Sequence, residues 1–198
     1  MDYPESIRKL ANELASWPTV GPKTAERFVL YLVRQPNAKI ADLLSAISNL
    51  KNNLTVCKTC CRLTDTNPCS ICLSQSRDRS TICLVAETKD LIAIENSGRY
   101  HGLYHVLGGV INAIHNTRPG DYNIKSLLAR LDKELYKEVI LALNPDMEGE
   151  TTALYVAKLL NGRNIKITRL ARGLPTGASL DYADDQTIAH ALNNRRNF

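Results

Sequence analysis

No stretch of the chain is apolar for long enough to cross a bilayer. The opening residues, Met1-Asp2-Tyr3-Pro4-Glu5, lack the charged-then-apolar pattern of a secretory leader. Internal repeats and low-complexity tracts are also missing, which excludes a repeat array and a compositionally biased linker. These absences point to a cytoplasmic protein. In a reducing compartment its six cysteines are poor disulfide formers, and a metal becomes the better expectation. Core-forming residues are plentiful: 44% of the 198 positions are hydrophobic, which argues against disorder. That length suits one large domain or two to three small ones.

The formal net charge is +5, and it is unevenly spread. Residues 1–62 carry nine basic and five acidic side chains, residues 63–161 carry ten and twelve, and residues 162–198 carry six and three. A basic first third suits a phosphate backbone. An ordinary solvated surface would look the same, so charge alone does not decide.

The first third reads as helical. Ile7, Leu10, Ala11 and Leu14 form one apolar stripe, which Trp17-Pro18-Thr19-Val20-Gly21-Pro22 breaks with turn chemistry. A second helix is expected from Lys23 to Arg34, with Ala25, Phe28, Val29 and Leu32 on one face. A third carries Ile40, Leu43, Leu44, Ile47 and Leu50. Beyond the polar stretch from Cys57 to Cys72 the pattern alternates. Strands are expected at Thr81–Ala86, Leu103–Leu107, Val139–Leu143 and Ile165–Leu170. Helices are expected around Leu91–Glu95, Ile124–Leu131 and Thr151–Leu160. Such alternation predicts a mostly parallel sheet covered on both faces. After a Gly/Pro-rich link, Gly173 to Gly177, the tail from Asp184 to Arg196 reads as a short capped helix.

Cys57-x-x-Cys60 and Cys69-x-x-Cys72 are two thiolate pairs separated by eight residues. Each pair can aim two sulfurs at one centre, and two pairs complete a tetrahedral Zn²⁺ site. Metal binding then supplies the folding energy that this core-poor segment lacks. Four thiolates leave no open coordination position, so the role is structural. A redox motif would be a single pair beside a strand–helix unit. Cys61 breaks the paired spacing, and Cys83, inside an apolar strand, reads as core.

The segment from Trp17 to Ala25 resembles a helix-hairpin-helix. Its turn exposes backbone N–H groups at the start of the second helix, where the dipole favours an anion. Gly21 allows close approach of a phosphate. At about 100° per residue, Lys23, Arg27 and Arg34 fall within about 40° of one another, opposite the apolar face. A basic stripe beside a phosphate-binding turn is a footprint for sequence-independent DNA binding. The motif usually has Gly where this chain has Thr19, a β-branched residue that restricts φ and costs a phosphate contact.

Glu87 follows the first expected strand, and Asn144-Pro145-Asp146-Met147-Glu148 follows the third. Acids past the carboxyl ends of parallel strands converge at the crevice of an α/β sheet. Glu87, Asp146 and Glu148 resemble the Toprim arrangement, in which carboxylates hold Mg²⁺ for phosphoryl chemistry. The bland alternative is a set of loop acids and a helix N-terminus, since Glu148 and Glu150 precede the expected helix Thr151–Leu160, where negative charge is favourable. No Tyr, His or Lys is placed by motif beside them as nucleophile or base, so a Toprim-like fold is expected without turnover. His101 and His105 are read as making contacts.

Taken over nearly its full length, the chain resembles the RecR family of bacterial recombination mediators. The resemblance rests on Val20-Gly21-Pro22-Lys23-Thr24-Ala25, on Gly102 to Gly109, on Glu148-Gly149-Glu150, and on Ala171 to Pro175 followed by Asp181-Tyr182-Ala183-Asp184. It implies an α+β multidomain protein: a helix-hairpin-helix domain at 1–54, a four-cysteine zinc finger at 55–78, a Toprim domain at 79–173 and a C-terminal subunit-contact segment at 174–198. It also implies a non-enzyme that forms a ring-like tetrameric clamp on single- or double-stranded DNA at the nucleoid. Its implied partners are RecO and, where present, RecF, with which it loads a recombinase onto single strands coated by single-strand-binding protein. Lys23 and Arg27 would then face DNA, and the face near Glu87 and Glu148 would meet RecO. Many relatives have Thr where Asp146 stands, so this chain has a fuller acidic triad. The competing readings are a Toprim-type Mg-dependent nuclease or primase, and a zinc-ribbon RNA-binding or transcription accessory protein.

Overall fold

The computed structural model describes residues 3–112 and 117–195. The chain divides into two compact units, Met1–Leu54 and Thr55–Phe198.

The first unit is three helices: α1 (Glu5–Ala15), α2 (Pro22–Val33) and α3 (Asn37–Asn53). Its small core joins Leu14 of α1 to Ala25 and Val29 of α2, flanked by Ile7, Ala11, Ala15 and Val20. Leu10 and Phe28, expected inside, stand at the surface instead. A pair of short helices buries only the residues along its contact line, and the wider apolar stripes overrun that line. The third apolar stripe is largely uncovered, only Ile40 being half-buried. Of 17 residues in α3 none is buried, and Leu43, Leu44, Ile47 and Leu50 are exposed.

The second unit opens with a small antiparallel ribbon, β1 (Thr55–Val56) with β2 (Leu63–Thr64), followed by the single turn α4 (Ser70–Leu73). Next come β3 (Asp78–Val85), α5 (Thr88–Asn96), β4 (Gly102–Val106), α6 (Ile124–Lys133), β5 (Glu138–Ala142), α7 (Met147–Leu160), β6 (Lys166–Arg169) and α8 (Asp185–Asn193). The sheet order is β4-β3-β5-β6, and every pairing is parallel. Alternate residues of β3 serve opposite faces. Ile82 and Leu84 join Leu127, Leu131, Val156 and Leu160 of α6 and α7. Cys83 and Val85 join Leu91 of α5 and the four paired cysteines.

The order of crossovers decides where the site lies. From β3 the chain steps to β4 on one side, then returns past β3 to β5 on the other. Ligands of open α/β sheets collect beyond the carboxyl ends of strands at such a reversal. The segment after β4 lies over this end. Leu107 N–H donates to the Val85 carbonyl at 2.9 Å, and Ile111 N–H donates to Thr152 Oγ1 of α7 at 2.8 Å.

The tail helix α8 starts where a cap was expected. Asp184 Oδ1 accepts from Thr187 N–H at 2.9 Å. The expected end, Arg196, lies outside the described residues.

Candidate functional site

Three groups of residues carry chemistry, and each is built locally. In the first unit, the elbow between α1 and α2 closes with Val20 N–H on the Trp17 carbonyl at 3.1 Å. Thr19 sits within it at φ 67°, a left-handed conformation that is unusual for a β-branched residue. The position therefore does require what glycine provides, and this chain bears the strain with threonine. Gly21 is the N-cap of α2 and brings no side chain to cap the first turn, where Pro22 occupies N1. Its φ is −83°, and a Cβ placed there would meet nothing within 4 Å. The fold itself thus makes no demand for glycine at 21. Lys23, Arg27 and Arg34 are all exposed along α2.

In the second unit, the four paired cysteines form a buried cluster whose sulfurs all lie within 4.8 Å of one another. Cys57 Sγ is 3.9 Å from Cys72 Sγ, and Cys60 Sγ is 3.6 Å from Cys69 Sγ. A tetrahedron with Zn–S bonds of about 2.3 Å has edges of about 3.8 Å, so the cluster is compatible with a zinc site. Burial works to raise the Cys57 thiol, but the backbone amides of Cys69, Cys60 and Thr59 outweigh it and bring the group down to about 6. The hydrogen bond with Cys72 and burial push Cys60 well up. One sulfur is thus drawn towards the anion while burial and neighbouring thiols hold Cys60 and Cys69 towards the protonated form, a conflict that a dication at the centre would relieve. Cys61 stands apart. Its φ of 63° turns the chain away, and its sulfur lies 3.5 Å from Ser126 Oγ. Cys83 is buried and its thiol is pushed up to about 12 by burial, as for a core residue.

The knuckle is fixed to the sheet by two devices that sequence patterns do not reveal. Val106 N–H of the edge strand β4 donates to the Cys60 carbonyl at 2.8 Å. The buried Arg130 of α6 donates to the Tyr104 carbonyl at 2.7 Å and to the Thr59 carbonyl at 3.4 Å, with the Tyr136 ring 5.6 Å from its guanidinium. Beside it lies His105, fully buried. The His105 Nε2–H donates to the Asn123 carbonyl at 2.9 Å, and Nδ1 has no partner among the described residues. Burial holds its pKa down at about 4, and the nearby Arg130 cation adds to the effect. A lone polar residue in an apolar strand gives no signal of its own; only the carbonyls it meets explain it.

The third group is acidic. Glu87 follows β3, and Asp146 and Glu148 follow β5, all at the carboxyl edge of neighbouring central strands. Each has a local partner. Glu87 caps α5 reciprocally with Asp90, which accepts from Glu87 N–H at 2.8 Å, and Glu87 pairs with Lys89 at 2.9 Å. Asp146 caps α7 by accepting from Gly149 N–H at 2.7 Å. A side chain at Gly149 would run into the Asn144 carbonyl, so this tight turn needs glycine. Glu148 accepts from Asn112 Nδ2 at 3.2 Å. Among the described residues only the four cysteines bring three or more ligand atoms within 4.8 Å of one another. One ion cluster here was not expected: Glu150 pairs with both Arg169, at 3.3 Å, and Arg172. The three line a cavity of about 510 Å³ whose apolar lining includes Leu141, Leu143 and Ile167.

A helical hairpin unit, a four-cysteine knuckle and a parallel sheet with acids at its crevice together define a Toprim-class protein that carries a helix-hairpin-helix. Comparison with known proteins agrees and narrows the class. Residues 80–171 match the Toprim domain model, residues 7–51 match the helix-hairpin-helix of RecR, and residues 173–196 match the RecR C-terminal model. The recombination protein RecR of Bifidobacterium adolescentis is 45% identical over 194 residues, covering 98% of this chain and 97% of that one. The chain belongs to the RecR family of recombination proteins.

Proposed function

We propose that the chain is a DNA-binding recombination mediator that grips the sugar-phosphate backbone through the α1–α2 elbow and does no chemistry on it. The observation that carries this reading is Gly21. A glycine that the fold does not need stands at an uncapped helix start beside Lys23, Arg27 and Arg34. A close-approaching external anion explains it, since only an absent side chain lets a phosphate reach those amides. Such contacts ignore base sequence and serve single and double strands alike.

Zinc on Cys57, Cys60, Cys69 and Cys72 supplies rigidity to the knuckle. The exposed apolar face of α3 supports assembly of several copies, a ring-like homotetramer in the family picture, to which the segment 174–198 contributes contacts. Met147 and Leu154 of α7, 81% and 70% exposed, support a partner-binding role for the Toprim face. RecO, and RecF where present, are the partners expected there, with recombinase loading in the cytoplasm at the nucleoid as the outcome. No helix among the described residues is long and apolar enough to cross a membrane. A Mg²⁺-dependent nuclease or primase is less well supported, because Glu87 and Asp146 already serve as helix caps.

The test is the double variant Lys23→Glu with Arg27→Glu in the full chain. It should keep its helicity and its solution mass and lose binding to any oligonucleotide. Retained affinity at low ionic strength would reject the reading.

A further inference from the structure

The basic stripe on α2 is not purely basic. Lys23, Arg27, Tyr31 and Arg34 are spaced four, four and three residues apart, so each is the helical neighbour of the next. Tyr31 is 58% exposed and stands between two arginines. Nothing in the small core of this unit uses it, since that core ends at Ala25 and Val29. Phe28, one helical step from Tyr31, is 44% exposed. Trp17, the only tryptophan of the chain, is 55% exposed in the elbow that feeds α2. Tyr31, a large ring left in water one helical step from Arg27 and Arg34, is costly on a surface that meets only phosphates. Phosphates are satisfied by the cations and amides alone.

Resting on the phosphate-binding role of this elbow, we propose that α2 also carries a stacking platform for unpaired nucleobases, with Tyr31 as its central ring and Trp17 at the elbow end. In a duplex the base faces are stacked on one another and out of reach. In a single strand they are free, and each has a π-face that an aromatic ring can cover. Cations on either side of Tyr31 hold successive phosphates, and the ring takes the base between them. The platform therefore makes single-stranded DNA the preferred ligand of a surface whose charge alone would not choose.

The experiment compares a twenty-residue oligothymidylate with a duplex of equal length on the full chain. Trp17 fluorescence, a probe with no background from other tryptophans, should be quenched by the single strand more than by the duplex. Tyr31→Ala should weaken oligothymidylate binding roughly tenfold and duplex binding less than about twofold, and Tyr31→Phe should restore the difference. The slope of log affinity against log salt should be unchanged in Tyr31→Ala, because stacking releases no counterions, and should flatten in Lys23→Ala. Equal losses on both ligands, or no loss, would overturn the platform while leaving the backbone grip intact. Should Tyr31→Ala change the solution mass, the ring belongs to a contact between copies and the platform is likewise rejected. If the Lys23→Glu, Arg27→Glu chain still binds both ligands, it is the elbow reading itself that fails.

Discussion

Acid should destabilise this protein through one imidazole. His105 is fully buried, its Nε2–H is committed to the Asn123 carbonyl, and its Nδ1 faces no acceptor. Protonation would place a second N–H and a positive charge in a pocket that already holds Arg130. The folded-state pKa of about 4 lies below the ordinary 6.5, so the unfolded chain binds the proton first. Stability from this group is therefore complete above pH 6.5 and is lost as pH falls towards 4. A gap of that size corresponds to about 3 kcal/mol in full, with about 2 kcal/mol already gone at pH 5. If zinc sits on the four cysteines, acid would also protonate its thiolates, which would add its own loss. Urea unfolding of the native chain and of His105→Gln, each at pH 7.5, 6 and 5, separates the two. Glutamine keeps a donor for the Asn123 carbonyl and cannot charge. The variant should start about 1 kcal/mol less stable at pH 7.5. It should overtake the native chain by pH 5, because only the thiolate loss remains to it. Parallel pH curves for the two proteins would refute the argument.

Four further outcomes are expected. Gly21→Ala should change unfolding free energy by less than about 1 kcal/mol and yet weaken DNA binding, measured by anisotropy; intact binding would remove the main support for the elbow. Thr19→Gly should relieve the left-handed strain and raise stability by roughly 0.5 kcal/mol, read as a higher urea midpoint, and should not weaken DNA binding. Arg130→Met leaves two carbonyls unpaired at the knuckle–sheet junction and should cost about 2–4 kcal/mol; a smaller loss would mean that the knuckle does not depend on it. Metal analysis should find about one zinc per native chain, and Cys57→Ser should lose both the metal and a cooperative unfolding transition.

Much of this architecture was legible because it is written in periodicity. The four strands and the helices between them lie within a few residues of where β-branched runs and helical spacing put them. The cysteine spacing anticipated the cluster, and the odd threonine at 19 marked a backbone position that indeed takes a positive φ. Burial was less legible. The stripe on α3 has the period of a core-facing helix, yet it faces outward in the single chain, because period reports that a helix has an apolar side and not what covers it. The acids after β3 and β5 carried two readings at once, metal ligand and charge at a helix start, and the capping hydrogen bonds that Glu87 and Asp146 make carry no mark in the sequence. Arg130 and His105 were invisible as a pair. Arg130 meets a carbonyl 71 residues away and His105 one 18 residues away, and backbone acceptors carry no letter in a sequence.

The way the cysteine loop lies along β4 has a consequence for how the molecule fails. Gly102–Val106 is an outermost strand yet all five of its residues are buried, with the Cys60 carbonyl occupying the amide of Val106. A flank of that composition, if bared, is a template on which foreign strands can grow. If zinc holds the cluster as proposed, losing it would do more than soften the chain. The loop would peel back, Leu103, Tyr104 and Val106 would meet solvent and one another, and the outcome in a metal-poor cell would be insoluble deposits.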